Sequence, residues 1–277
     1  MCILFIFVDT NPKKGSYRLI IASNRDEYYR RPADIARFFP NDNIIAGRDM
    51  EKGREGGTWL GVSLRKCEKF KFRFGALLNV TGEDRKQNAK GRGNIVMDFI
   101  KHELTGAEYV NKLYSDDTHN AFNFVAVELR EDSASTFHLS NSPPNIAEFQ
   151  GSKILGFGNS PLNSPLTKVK NGTTRFSEII SKCNSVSQGE QLKDELISLL
   201  KSEERHLPDP ELQKRAPNAY EELSSVFVEI QNSYGTRTHS IVLVTDEWKV
   251  EFVEETIEEP YNPEAPVWNK QTIKSNL

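Results

Sequence analysis

A cysteine at position two follows an initiator methionine of the kind that cells remove when the next side chain is this small. Loss of Met1 would give Cys2 both a thiol nucleophile and a free α-amino group, pKa about 7.7–8.0, able to act as its base. Such a residue needs a group that orients the amine, donors for a developing oxyanion and a cation that favours thiolate. The opposing reading is a small apolar residue opening a strand, because free cysteine packs as a hydrophobe.

Polar residues at the ends of apolar runs are the partners available to Cys2. Asn24-Arg25-Asp26-Glu27 closes the second apolar run, Asn79 closes Phe72 to Leu78, and Asn159 follows Lys153 to Phe157. Arg237 lies in Tyr234-Gly235-Thr236-Arg237-Thr238. Each alone is an ordinary turn or strand-end residue, and their joint pattern carries the signal. If the second run continues as a strand, Asn24 and Asp26 share one face while Arg25 and Glu27 share the other.

The elements that must bring these groups together are mostly strands. Ile3 to Val8 and Arg18 to Ser23, joined by Asn-Pro-Lys-Lys-Gly, predict a hairpin that sets the Asn24 cluster beside Cys2. Further strands are expected at Ile44 to Ala46, Thr58 to Ser63, Phe72 to Val80, Phe122 to Leu129, Thr136 to Leu139, Val226 to Ile230, Ser240 to Thr245 and Val250 to Ile257. Three stripes have helical spacing: Val96 to Leu104, Phe176 to Cys183 and Leu192 to Leu200. Asn141 to Gln150 and His206 to Asn218, each rich in proline, read as surface loops, and the tail from Pro260 as an extended surface segment. Strand runs at both ends with helices between them point to mixed sheets covered by helices.

Composition narrows the partners. A net charge of -3 in 277 residues gives no general attraction to nucleic acid or anionic lipid. The basic cluster Lys66, Lys69, Lys71 and Arg73 is interleaved with Glu68 and Phe70 and reads as a solvated strand edge. Three cysteines, Cys2, Cys67 and Cys183, have no metal or disulfide spacing, and no apolar run approaches a membrane span. The five histidines lack paired spacing and read as surface or hydrogen-bonded groups, so no catalytic metal is expected. Gly53 to Gly61 precedes a strand rather than a helix and reads as a tight turn delivering Trp59 to a pocket or core. Gly91-Arg92-Gly93 opens a helix, with an anion site as the weaker reading.

Taken together, Met1-Cys2-Ile3, Asn24-Arg25-Asp26-Glu27, Glu55-Gly56-Gly57-Thr58-Trp59-Leu60-Gly61, Gly91-Arg92-Gly93 and Tyr234-Gly235-Thr236-Arg237-Thr238 resemble the transport and Golgi organisation protein 2 family from residue 1 to about Glu255. The resemblance implies an α+β chain with the four-layer αββα sandwich of N-terminal-nucleophile hydrolases. It is read as one domain over 1–277, with 260–277 as an extension of that domain. More distantly the pattern is similar to the choloylglycine hydrolase and penicillin V acylase branch. That likeness implies Cys2 as nucleophile, its amine as base, Asp26 as orienting carboxylate, Asn79 and Asn159 near the oxyanion and Arg237 supporting the site. Asn24, Arg25, Glu27 and Trp59 are the expected ligand-binding neighbours. One position departs: those hydrolases carry an Arg three residues before the Asp, where this chain has Ser23. The guanidinium is supplied by Arg25, which on a strand faces away from Asp26.

The expectation drawn from this resemblance is a non-enzymatic haem-trafficking protein, with haem as cargo and haem-acceptor proteins as partners, linked to mitochondrial and lipid homeostasis. The alternative is a cysteine amidohydrolase, thioesterase or acyltransferase acting on acyl-CoA or N-acyl substrates. Neither nucleic acid nor stable membrane insertion is expected. Location is read as cytoplasmic, with mitochondrial or Golgi association as the alternatives.

Overall fold

Long runs in which nearly every residue is apolar require sheets that are covered on both faces, and these runs dominate the fold. The computed structural model describes residues 1–65 and 67–277. Lys66 of the basic cluster lies outside the described residues. In chain order the elements are β1 (Ile3–Val8), β2 (Tyr17–Tyr28), β3 (Ala33–Phe39), β4 (Ile44–Asp49), β5 (Leu60–Ser63), β6 (Phe72–Asn79), α1 (Gly93–Lys101) and α2 (Gly106–Tyr114). Next come β7 (Phe122–Leu129), β8 (Ala134–Asn141), β9 (Pro144–Gln150), β10 (Lys153–Phe157), α3 (Thr167–Cys183) and α4 (Gly189–Leu200). The chain ends with α5 (Pro210–Arg215), β11 (Glu229–Ile230), β12 (Tyr234–Thr245), β13 (Lys249–Ile257) and β14 (Trp268–Asn276).

Two units divide these elements, each with one antiparallel sheet and its own helices. Unit 1 comprises Met1–Arg30 and Ser152–Asn276, and unit 2 comprises Arg31–Gly151 with Leu277. The first sheet runs β10-β1-β2-β12-β13-β14, with β11 paired to β12; the second is a meander from β3 to β9. This is the expected α+β class.

In unit 1 the helix-facing side of β1 and β2 presents Ile3, Phe5, Ile20 and Ala22 to Val169, Phe176 and Ile180 of α3 and to Leu192, Leu196 and Leu199 of α4. The opposite side of β1, carrying Leu4, Ile6 and Val8, is equally buried. Phe5 stacks on Phe176 with ring centroids 5.7 Å apart. At about 25 cal/mol per Å² of apolar surface removed from water, such side chains supply the main drive to fold.

Unit 2 repeats the plan. Ile44, Ala46, Leu77, Phe122, Phe124 and Phe137 pack against Ile95, Val96, Phe99 and Ile100 of α1 and Tyr109, Val110 and Leu113 of α2. Two motifs meet here: Gly57 and Gly93 touch through bare backbone, and a Cβ on Gly57 would lie 2.8 Å from the Gly93 Cα. Thr58 N–H donates to Gly93 O at 3.0 Å, closing the contact. The start of α1 is therefore a packing joint, which accounts for both glycine motifs without an anion.

Several expectations need correction. Pro144–Gln150 is an edge strand rather than a loop, because antiparallel pairing with β8 satisfies its backbone. The proline-rich 206–218 segment contains α5, begun by Pro210 at N1 and capped by Asp209. The tail forms the edge strand β14 along β13. Val226 to Ile230 shortens to the two-residue β11. Strand β3 and helix α2 carried no earlier signal; Thr105 and Glu108 form a capping box that starts α2. Arg73 is no solvated edge but one of the largest fully buried side chains. It donates to Glu128 and to the carbonyls of Phe99, His102 and Leu104, sealing the end of α1.

Candidate active site

Hairpin β1–β2 does what its sequence requires. Ile3 pairs with Asn24 and Leu4 with Ser23. Continuing the register one and two residues outward sets Cys2 level with Arg25 and Met1 level with Asp26. On the other side of β1, Leu4 pairs with Phe157, so the same continuation sets Asn159 level with Cys2. Asn159 is buried there.

The amino group of Met1 is buried and lies 2.7 Å from Asp26 Oδ2. It also donates to the Tyr234 hydroxyl at 2.5 Å. Asp26 Oδ1 accepts from the Thr236 hydroxyl at 2.7 Å, and Thr236 in turn accepts from Val228 N–H at 2.9 Å. Asp26 is thereby held through both oxygens. The half-buried Cys2 thiol sits on the same residue's backbone, with Asp26 N–H donating to Sγ at 3.4 Å.

A bulge in β12 makes this arrangement possible. Thr236 pairs with Asp26 and Thr238 with Arg25, which leaves Arg237 as the extra residue. The bulge lets Thr236 meet Asp26 while His239, three residues on, meets Asn24 on the same face of β2. Gly235 is required just before Thr236, since a Cβ there would lie 2.5 Å from the Val228 carbonyl oxygen.

Burial sets the protonation of these groups. It pushes the amino group down, with Asp26 opposing that shift and Lys168 adding to it. It pushes the Cys2 thiol up, with the ammonium pulling against it, Asp26 reinforcing it and Arg25 pulling down. The Tyr234 phenol is raised by burial and then by Asp26, so it stays a neutral donor. Lys168 of α3 is brought down to about 8 by burial, against the opposing pull of Asp26, Cys2 and Asp209. A neutral thiol beside an easily deprotonated amine is the pairing that general-base activation of a nucleophile needs.

The expected site residues separate into groups. Cys2, Asp26 and Asn159 converge in unit 1. Arg25 is buried, and its charge acts on the Cys2 thiol in the direction that favours thiolate, so its position beside Cys2 partly supplies what Ser23 lacks. Ser23 instead donates to Ile3 O and ties the hairpin. Asn24 is turned into the core rather than toward a ligand. Its amide donates to Leu200 O and Val226 O, and its oxygen meets His239 Nδ1 at 2.7 Å. Arg237 holds Tyr28 O and Glu259, clamping the end of β2 rather than the thiol. Glu27 accepts from Tyr28 N–H. Asn79 and Trp59 belong to unit 2, where Asn79 closes β6 with an exposed side chain and Trp59 covers Gly47.

Three residues at the centre had no earlier assignment: Tyr234, Thr236 and Lys168. The first two sit in the motif from which only Arg237 was taken, and their two-residue spacing is the signal that they share a face. Lys168 lies four and eight residues before Gly172 and Phe176 on the buried stripe of α3. A lysine in line with a core stripe is the mark that could have found it.

No helix among the described residues is long and apolar enough to cross a membrane, and no group of three or more metal-ligating side chains occurs among them. Among solved structures, an N-acylethanolamine-hydrolyzing acid amidase ortholog of Caenorhabditis elegans is similar over 87% of this chain and 92% of its own, with TM-score 0.47 and 10% identity. The Drosophila melanogaster protein named Transport and Golgi organization protein 2 is 42% identical over 287 residues, covering 100% of this chain and 99% of its own. The human homologue of that name is 33% identical over 286 residues with the same coverage. The family model described as Transport and Golgi organisation 2 matches residues 1–259, a span that contains Cys2, Asp26, Lys168, Tyr234 and Thr236. By that match and by full-length relatedness, the chain belongs to the Transport and Golgi organisation 2 family.

Proposed function

We propose that unit 1 carries an N-terminal-cysteine acyl-transfer centre acting on acyl thioesters such as acyl-CoA or on N-acyl amides. The observation that carries this reading is the buried amino terminus on Asp26 beside the Cys2 thiol. Excision of Met1 transfers the role of amino terminus to Cys2, with Asp26 as the carboxylate that receives the new amine. The amine takes the thiol proton while Sγ attacks the acyl carbonyl, and the leaving thiol or amine departs with that proton. Water, or an acceptor hydroxyl or amine, then cleaves the acyl-enzyme, and Cys2 regains its proton. Asn159, level with Cys2, supplies a donor to the oxyanion.

The test is turnover by the purified protein of acyl-CoA and N-acyl amides of graded chain length, with intact mass measured on the same sample. Loss of Met1 together with turnover that Cys2→Ala abolishes is expected. Retained Met1, or equal turnover by Cys2→Ala, would overturn the reading.

A second reading keeps the haem-trafficking role without catalysis, and His239 is the observation that favours it. Its Nδ1 is committed to Asn24 Oδ1, because the Asn24 amide donates to two carbonyls. Its Nε2 is buried without a hydrogen-bond partner, and the ring stacks on Trp268 at 4.7 Å with Phe227 nearby. The ring is wholly buried, so an iron porphyrin would reach the bare Nε2 only with Trp268 of the edge strand β14 moved aside. Haem titration followed by transfer to an apo-acceptor tests it, with His239→Ala expected to weaken binding. Absence of saturable binding would remove this reading.

A further inference from the structure

Most domains leave their first residues frayed at the surface, and this chain buries its first side chain instead. Met1 is 4% exposed and belongs to the apolar cluster that includes Ile3, Phe5, Leu166, Val226 and Val228. By alternation along β1 its side chain follows Ile3 and Phe5 onto the helix-facing side of the first sheet, the side to which Asp26 also projects. Met1 and Cys2 both rest on Asp26: the Met1 amine lies 2.7 Å from Oδ2, and the Cys2 thiol accepts from the backbone N–H at 3.4 Å. The Tyr234 hydroxyl, 2.5 Å from the same amine, completes the polar rim. The residue whose removal the Cys2 chemistry requires is therefore also the one that fills the space beside the thiol.

A methionine packed in a core leaves a hollow when it is removed, because the surrounding side chains relax only in part. An apolar hollow of this kind accepts apolar guests. We propose that the space given up by Met1 is the acyl pocket of the Cys2 centre, selecting unbranched aliphatic acyl groups of about four to six carbons. The methionine side chain is itself unbranched, so a linear chain can retrace its path and a branched or ring-bearing one cannot. The pocket opens one peptide bond from the Cys2 nitrogen, which sets the chain of an acyl group carried on Sγ at its mouth. Use of the pocket in turnover rests on the acyl-transfer reading; its existence does not.

Two forms of the full chain test this, one beginning at Met1 and one released from an amino-terminal fusion so that Cys2 comes first. Thermal melts with unbranched primary amides from acetamide to octanamide read the pocket without catalysis. The Cys2-first form should melt lower than the Met1-first form, and the amides should raise its melting temperature. Their affinity should rise about fourfold per added methylene as far as pentanamide or hexanamide and no further. The Met1-first form should not respond. Ile3→Ala, which removes atoms beside the place of Met1 on the same face, should lengthen the preferred chain by one or two carbons. Equal responses of the two forms, affinity indifferent to length, or an unmoved optimum in folded Ile3→Ala overturns the proposal. Where acyl turnover is present, kcat/KM should peak at the length that the melts prefer, and a peak elsewhere overturns it too. Length-dependent binding by a Cys2-first form that turns over no acyl thioester or amide leaves the pocket assigned and removes the acyl-transfer reading.

Discussion

Each unit buries a cationic side chain deep in its core, and the two are treated in opposite ways. In unit 2 Arg73 meets Glu128 and three carbonyls, and Glu128 also accepts from Gly106 N–H and from Arg130, so both ends of the pair are satisfied. In unit 1 Lys168 has one carbonyl, while the amine and Thr236 share the Asp26 carboxylate and the thiol and Tyr234 sit on the same residue's backbone. The lesson is that a buried charge with a full set of partners is architecture. One that shares too few partners with its neighbours has pKa values moved away from their ordinary ranges, as reactive centres require.

Breaking the stronger arrangement should have the largest effect. Arg73→Met strips the buried Glu128 of its main partner and leaves it only Arg130 and Gly106 N–H, and is expected to cost about 3 kcal/mol, seen as a lower urea midpoint. The double variant Arg73→Met with Glu128→Leu should recover much of that loss. Equal damage from Lys168→Met would erase the distinction between the two clusters.

Acid should weaken both units through their buried histidines. Burial depresses His239 to about 3 and His138 to about 4, so the unfolded chain takes up protons that the folded chain refuses. Stability is therefore held above about pH 6.5 and declines as pH falls toward 4 and then 3, by about 1.4 kcal/mol per unit for each histidine still neutral in the fold. Thermal melts across this range provide the check, and His239→Gln should flatten the slope. An unchanged slope would mean that His239 carries no part of the acid response.

The smallest change is the most local. Thr236→Val removes the donor to Asp26 Oδ1 and the acceptor for Val228 N–H, and should cost about 1–2 kcal/mol. If unit 1 is the reactive region, acyl turnover should fall by more than the melting temperature suggests. A loss confined to stability would make Thr236 a framework residue.

How much of this was legible in the sequence depended on periodicity. The hairpin, the runs at Phe72 and Phe122 and the stripes of α1, α3 and α4 were readable because nearly all their side chains face apolar surroundings. Edge strands β3 and β9 were hidden, since exposed pairing leaves no apolar signature. Arg73 was misread because Lys69 and Lys71 sit in wetter positions before it, although it lies two residues from Gly75 on the face that meets Phe99 and Val96. At the site, residue type identified Cys2 and Asp26, whereas Asn24 and Arg237 were obscured by hydrogen bonds that only the folded chain reveals. Lys168 leaves little signal in the sequence because a single lysine on a helix ordinarily lies on its solvated face.

The bulge at Arg237 makes the length of its motif matter as much as its composition. Pairing normally fixes which residues of two strands look the same way by simple parity. Here an even-numbered Thr236 and an odd-numbered His239 both address the even-numbered face of β2, because one residue is left out of the count. A different side chain at 237 would alter the clamp on Glu259 and leave that count intact. Deleting the position would turn either the Asp26 contact or the Asn24 contact to the wrong side of the sheet. The chain can therefore tolerate changes of letter at this point far more readily than a change of one in its spelling length.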